Sequence, residues 1–273
     1  MISGMENKTV KSRLSELKLR PLKSRGQNFI IDPAVPAAIV EFGRADQARQ
    51  IVEIGPGLGA LTELLSRYGE LTVVEIEPKF CRDLERRFPG IRVIEGDIRG
   101  VSFSALGRDL VVFGNLPYAF STEIIFHLIE NASCIKRAVL LLQRQFAERL
   151  AAKPGGRDYG VLSISCQLWA DIVLGPLISG RAFHPPAKVE SRLVELVFSG
   201  APRYEIGDLS WFNMAVRAAF SRRRKKLINS LEAAGLFPRK KIEEALEHAA
   251  IDGARRPETL SIEEYVRLAS LLV

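Results

Sequence analysis

The chain has 273 residues, 47% hydrophobic and 26% charged, enough for one large globular domain and one small one. No uncharged run approaches the roughly 18 residues of a membrane span, and the start, Met1-Ile2-Ser3-Gly4-Met5-Glu6, has no apolar signal segment. Cys81, Cys134 and Cys166 are isolated, which argues against a disulfide framework or zinc site and fits a reducing cytoplasm, while a formal charge of +7 favours a polyanionic partner.

Residues 1–25 form a basic extension containing Lys8, Lys11, Arg13, Lys18, Arg20, Lys23 and Arg25. Val10, Leu14 and Leu17 stand at helical spacing, which predicts a short amphipathic helix ending before Pro21. Its basic face fits equally a solvated surface or a contact with RNA. Next comes Gly26-Gln27-Asn28-Phe29-Ile30-Ile31-Asp32, a loop entering a helix near Asp32-Pro33, with Asp as N-cap and Pro first.

Ile51-Val52-Glu53-Ile54 reads as a buried strand running into Gly55-Pro56-Gly57-Leu58-Gly59 and a helix through Leu65. Glycines there let backbone approach a ligand closely, but the spacing is GxGxG, not the GxGxxG of a dinucleotide site. No Lys-Ser/Thr follows, which excludes a P-loop. A second strand ends at Glu75, twenty residues after Gly55, where an acid would meet ribose hydroxyls. A third, Ile91–Glu95, leads to Gly96-Asp97; Asp97 is either a turn residue or an acceptor for an adenine amino group.

A fourth apolar run, Leu110–Phe113, ends in Gly114-Asn115-Leu116-Pro117-Tyr118. In open α/β sheets ligands bind beyond the carboxyl ends of strands. There Asn115 offers an acceptor, Pro117 fixes the turn, and Tyr118 offers a flat ring for a base. A helix from Ser121, a fifth strand at Ala138–Leu142, a helix through Phe146 and Leu150, and another around Leu162 and Ile164 follow. Ile172–Leu174 and Leu193–Phe198 read as an antiparallel hairpin at the sheet edge. The stiff loop between them holds Phe183-His184-Pro185-Pro186, where Phe183 either faces Tyr118 across a base or anchors the core.

Gly200, Pro202 and Gly207 mark a linker, after which four helices are predicted: Trp211–Ala219, Lys225–Ala234, Lys240–Ala249 and Ile262–Leu272. Arg222-Arg223-Arg224-Lys225-Lys226 would sweep every face of a continuous helix, so a break near Ser221, with Ser221 as a new cap, is expected. The cluster then projects outward, as a solvated patch or a phosphate contact.

Gly26–Phe29, Glu53–Gly59, Gly114–Tyr118, Phe183-x-Pro185-Pro186-x-Lys188-Val189 and Arg223-Arg224-Lys225-x-Leu227-x-Asn229 occur in this order. The ordered set resembles the small-subunit rRNA adenine dimethyltransferase family over roughly residues 22–270. The resemblance implies an α/β fold: an S-adenosylmethionine-dependent methyltransferase domain of Rossmann type with a mostly parallel sheet, plus a small all-α C-terminal domain. It divides the chain into the extension 1–25, a catalytic domain 26–200 and a helical RNA-binding domain 208–273. It implies dimethylation of two adjacent adenosines near the 3′ end of small-subunit rRNA, on a pre-assembled subunit, by a cytoplasmic monomer using S-adenosyl-L-methionine and no metal. Asn28, Ile30, Gly55, Gly57, Glu75, Asp97 and Asn115 would bind the cofactor. Asn115, Leu116, Pro117, Tyr118 and Phe183 would form the catalytic corner. Lys23, Arg25, Arg222, Arg223, Arg224, Lys225 and Lys226 would bind RNA.

The chain departs from the family pattern at Ile30 for Leu, at Glu77 for Asp, at Ala187 and Glu190 within the usual Pro-Lys-Val-Asp-Ser, and at Gln143-Arg144-Gln145 for Gln-Lys-Glu. Competing readings are a large-subunit rRNA adenine dimethylase, which more often carries Asn-Ile-Pro-Tyr, and a non-catalytic RNA-binding assembly factor on the same scaffold. A nicotinamide dehydrogenase is disfavoured by the GxGxG spacing.

Overall fold

The apolar runs that end at Glu75, Glu95 and Asn115 lie in one parallel array in the computed structural model, which describes residues 9–21 and 27–272. The strands are β1 (Phe29–Ile30), β2 (Gln50–Ile54), β3 (Glu70–Glu75), β4 (Arg92–Glu95), β5 (Leu110–Asn115), β6 (Ile135–Gln143), β7 (Ala170–Ile178), β8 (Phe183–His184) and β9 (Ser191–Phe198). Seven form one sheet in the order β4-β3-β2-β5-β6-β9-β7. Strands β2 to β6 are parallel, and β9 runs antiparallel to β6. β5 is buried along its length until Asn115, as a central parallel strand covered on both faces must be. β1 and β8 form a separate two-stranded pair.

Helices in the first part of the chain are α1 (Val10–Glu16), α2 (Ala34–Phe42), α3 (Thr62–Leu65), α4 (Pro78–Arg87), α5 (Ser121–Glu130) and α6 (Arg144–Leu150). Thr9 caps α1 by accepting from the Ser12 N–H, and Leu14 is its buried residue. Asp32 accepts from the Ala34 N–H at 2.9 Å, so α2 begins one residue later than Pro33. α3 is a single turn of four residues, because three successive glycines with positive φ hold the preceding segment in turns. The later helices are α7 (Val161–Gln167), α8 (Leu209–Ala219), α9 (Leu227–Ala233), α10 (Arg239–His248) and α11 (Ile262–Leu272). Among the described residues no helix is long and apolar enough to cross a membrane.

The chain divides into two units: the residues up to Ala147 with Val173–Gly200, and Glu148–Ile172 with the residues from Ala201 on. The core of the first is built on Ile39, Leu65, Val73, Leu84, Phe113 and Val139. That of the second is built on Phe212, Leu227, Leu231, Ile242, Tyr265 and Leu268. Residues 148–172 lie inside the span 26–200 read as one domain from sequence. Here they join the helices, because Tyr159, Ile164 and Leu168 complete the helical core.

α8 stops at Ala219 and residues 221–224 form turns, so the predicted break is present. Ser221 does not cap the next helix, however. Its hydroxyl donates to the Ser230 carbonyl at 2.8 Å, and Lys226 occupies the N-cap position of α9.

Candidate active site

The sheet order places β2 between β3 and β5, so crossovers leave in opposite directions and a crevice opens beyond the carboxyl ends of β2 and β5. A cavity of about 1590 Å³ occupies it, entirely within the first unit. It is lined by Asn28 and Ile30, by Gly55 and Gly57, by Glu75, by Asp97, and by Asn115 through Tyr118. Four strand ends and the β1 segment thus converge as the sequence motifs imply.

The glycine loop leaves open space against the ligand side. Gly55 has φ +65°, and a Cβ there would meet nothing within 4 Å. Gly57 has φ +53°, which strains any side chain, and a Cβ would stand a tight 3.1 Å from the Phe29 ring. Glu75 holds this loop in shape. It is 5% exposed; one oxygen accepts from the Gly57 N–H at 3.0 Å and the other from the Glu77 N–H at 2.9 Å. Burial pushes its carboxyl above the usual range, while these amides pull the other way. With Ile76 as a third backbone donor, the carboxylate still has acceptor capacity left for a ligand hydroxyl. Glu77 caps α4, accepting from the Lys79 N–H.

Asp97 is held from outside. Its carboxylate takes both Nε and Nη2 of Arg99, the latter at 2.5 Å, and this pairing lowers its pKa. Arg99 in turn lies 4.9 Å over the Phe120 ring, which also lines the cavity.

Asn115 ends β5, half-buried. Its Nδ2 donates to the Asn28 carbonyl at 3.0 Å, which turns the amide so that Oδ1 is its remaining acceptor. Leu116 as a whole is 1% exposed, and its N–H donates to the Leu141 carbonyl at 3.2 Å. Among the described residues none donates to the Leu116 carbonyl. Pro117 has φ −63°, and its carbonyl accepts from the Ser121 hydroxyl. Tyr118 is half-buried, its hydroxyl 2.8 Å from Ser191 Oγ; burial raises its pKa, with the Ser191 hydrogen bond opposing. The corner therefore sets the Asn115 Oδ1 acceptor and one aromatic face in the cavity, with Leu116 between them in its lining.

Phe183 corrects the sequence reading. It is 1% exposed, packs in the core of the first unit and does not line the cavity, so it provides no face for a base. Strand alternation explains this: β8 turns Phe183 inward and its neighbour His184 into the cavity lining. Lys23 and Arg25 lie outside the described residues, as does Gly26. Arg222, Arg223, Arg224, Lys225 and Lys226 are all exposed and belong to the second unit. Arg223 is anchored there, donating to the carbonyls of Arg157 and Tyr159.

Three features were not read from the sequence. Glu53 is 2% exposed and lines the cavity; its carboxyl accepts from the Thr62 hydroxyl at 2.7 Å, and desolvation pushes its pKa up to about 8. Its place inside an apolar run was the available signal. α1 forms one wall: Leu14 packs with Phe29, Leu58 and Phe80, Arg13 pairs with Asp83 at 2.8 Å, and Lys79 donates to the Leu17 and Lys18 carbonyls. Finally, the departures at Arg144 and Glu190 meet: Arg144 Nη1 lies 2.9 Å from Glu190 Oε2, and its N–H donates to the Glu190 carbonyl.

The cavity suits a sulfonium nucleoside: open glycines, a buried acid with lone pairs to spare, and a second acid at the next strand end. A solved dimethyladenosine transferase from Plasmodium falciparum matches with a TM-score of 0.75 at 25% identity, over 88% of this chain and 95% of that one. A solved 23S rRNA methyltransferase, ErmE, matches at 0.68 and 25%, over 90% and 99%. The ribosomal RNA small subunit methyltransferase A of Geobacter metallireducens is 37% identical over 265 residues, covering 93% of this chain and 96% of its own. The family model for ribosomal RNA adenine dimethylases matches residues 20–273. With motifs, fold and relatives agreeing over nearly its whole length, the chain belongs to the ribosomal RNA adenine dimethylase family.

Proposed function

We propose that this chain transfers methyl groups from S-adenosylmethionine to the 6-amino groups of two adjacent adenosines near the 3′ end of small-subunit rRNA. It does so in the cytoplasm, as a monomer, on a pre-assembled small ribosomal subunit during ribosome biogenesis. When bound, S-adenosylmethionine supplies a methyl group already activated on a sulfonium. Asn28, Ile30, Gly55, Gly57, Glu75 and Asp97 hold it, with Glu75 toward the ribose hydroxyls and Asp97 toward the adenine.

The observation that carries this reading is the fixed Asn115 amide, whose Nδ2 donates to the Asn28 carbonyl at 3.0 Å. An adenine amino nitrogen is a poor nucleophile because its lone pair is delocalised into the ring. Asn115 Oδ1 and the Leu116 carbonyl accept its two N–H groups, favour a pyramidal nitrogen and stabilise the positive charge that grows on it. Tyr118 stacks on the base, which must leave its own stack to reach the corner. The remaining task is alignment, and Pro117 and the Ser121 contact keep the corner rigid. The exposed run Arg222–Lys226, with Lys23 and Arg25, meets RNA phosphates.

The test offers tritiated S-adenosylmethionine with unmodified small subunits and, in parallel, protein-free large-subunit rRNA. Label in N6,N6-dimethyladenosine of the small subunit alone supports the proposal. Label confined to the large-subunit RNA would replace it with the large-subunit activity.

A further inference from the structure

The serine that opens β9 is not accounted for by sheet formation alone. β6 runs parallel to β5, so Gln143 stands at the same end of the sheet as Asn115. β9 runs antiparallel, and its first residue, Ser191, pairs with Gln143 and so returns to that end. Ser191 is fully buried, yet its hydroxyl sits 2.8 Å from the Tyr118 hydroxyl. One residue earlier, Glu190 is fastened to Arg144 twice, through its carbonyl and through its carboxylate, each at 2.9 Å.

A ring needed only as a stacking face would be served by Phe; a half-buried Tyr is distinguished by a hydroxyl that must find a partner. Tyr118 follows Pro117, which fixes the turn, and among the described residues its hydroxyl meets Ser191 alone. We infer that Ser191 is a positioning residue that sets the plane of the Tyr118 ring against the target base, the Arg144–Glu190 link holding the strand end that presents it. This rests on the reading of Tyr118 as the base platform. Ser191 itself touches neither base nor cofactor; it acts through the tyrosine. A misplaced face leaves RNA binding nearly intact, because phosphate contacts dominate affinity, and it misaligns the amino nitrogen in the transition state.

The experiment compares Ser191→Ala, Tyr118→Phe and the double variant for kcat and KM on small subunits. Calorimetry with S-adenosylmethionine reports the cofactor site, and Tyr118→Ala serves as the platform control. Each single variant is expected to lose kcat by roughly five- to tenfold, the scale of one hydrogen bond, with KM and cofactor affinity within about twofold. The double variant is expected to be no slower than either single. Losses that multiply in the double variant would overturn the inference, as would wild-type kcat in Ser191→Ala alongside an inactive Tyr118→Ala. Should Ser191→Ala fail to bind cofactor, Tyr118→Phe decides alone, and its retaining wild-type kcat overturns the inference. Full activity in Tyr118→Ala would instead overturn the platform reading beneath it.

Discussion

Glu53 gives the account a quantitative handle on the cavity floor. It is buried beside Glu75 with the Thr62 hydroxyl donating to it, and desolvation pushes its carboxyl from 4.5 up to about 8. Below pH 4.5 the group is neutral in both folded and unfolded chains. Between about 4.5 and 8 the unfolded chain sheds a proton that the folded chain keeps, so stability falls as pH rises through that window and is level above it. At 1.36 kcal/mol per unit, the fall amounts to at most about 5 kcal/mol. Glu53→Gln keeps the shape and the acceptor for Thr62 but cannot ionise. Urea unfolding, followed by circular dichroism at several pH values across the window, is therefore expected to show a wild type that weakens with rising pH against a variant that lacks this component. The variant gains relative stability toward the alkaline end. Parallel wild-type and variant profiles would refute the buried neutral acid.

Other consequences are equally specific. Leu14→Ala removes the buried anchor of α1, a loss of about 2–5 kcal/mol for a core leucine, and is expected to loosen the cavity wall and weaken S-adenosylmethionine binding in calorimetry. Gly57→Ala must place a side chain at φ +53° against Phe29, a strain of at least about 1–2 kcal/mol, and is expected to lower cofactor affinity and melting temperature together. Replacing Arg222, Arg224, Lys225 and Lys226 by Ala is expected to flatten the dependence of log K on log salt for RNA binding, by about 0.7–0.9 per lost phosphate contact. An unchanged slope would remove that run from the RNA surface.

The parallel part of the sheet was legible because its central strands, covered on both faces, read as largely apolar runs, β2 running into Gly55, β3 ending at Glu75 and β5 ending at Gly114-Asn115. Those same ends carry Gly55, Glu75, Asp97 and Asn115, so the cavity lining was legible with them. What the sequence hid were pairings between distant residues. Nothing local marks Ser191 as the partner of Tyr118, Arg13 as the partner of Asp83, or Glu190 as the partner of Arg144. Phe183 was ambiguous because an aromatic in a proline-rich loop fits both a site and a core; the two-residue strand that turns it inward pairs with Ile30, far away in the chain. The discontinuous second unit was hidden for a similar reason: residues 148–172 are ordinary α/β sequence until Tyr159, Ile164 and Leu168 meet the C-terminal helices.

In the proposed function the Asn115 amide, oriented by its contact with the Asn28 carbonyl, is the acceptor that makes an adenine amino group reactive. The most direct measurement is tritiated-methyl transfer to unmodified small subunits by Asn115→Ala, with RNA and cofactor affinities measured alongside. Turnover is expected to fall by roughly 10²–10³, the scale of a lost preorganised acceptor, with RNA affinity nearly unchanged. Wild-type turnover in that variant would contradict the account.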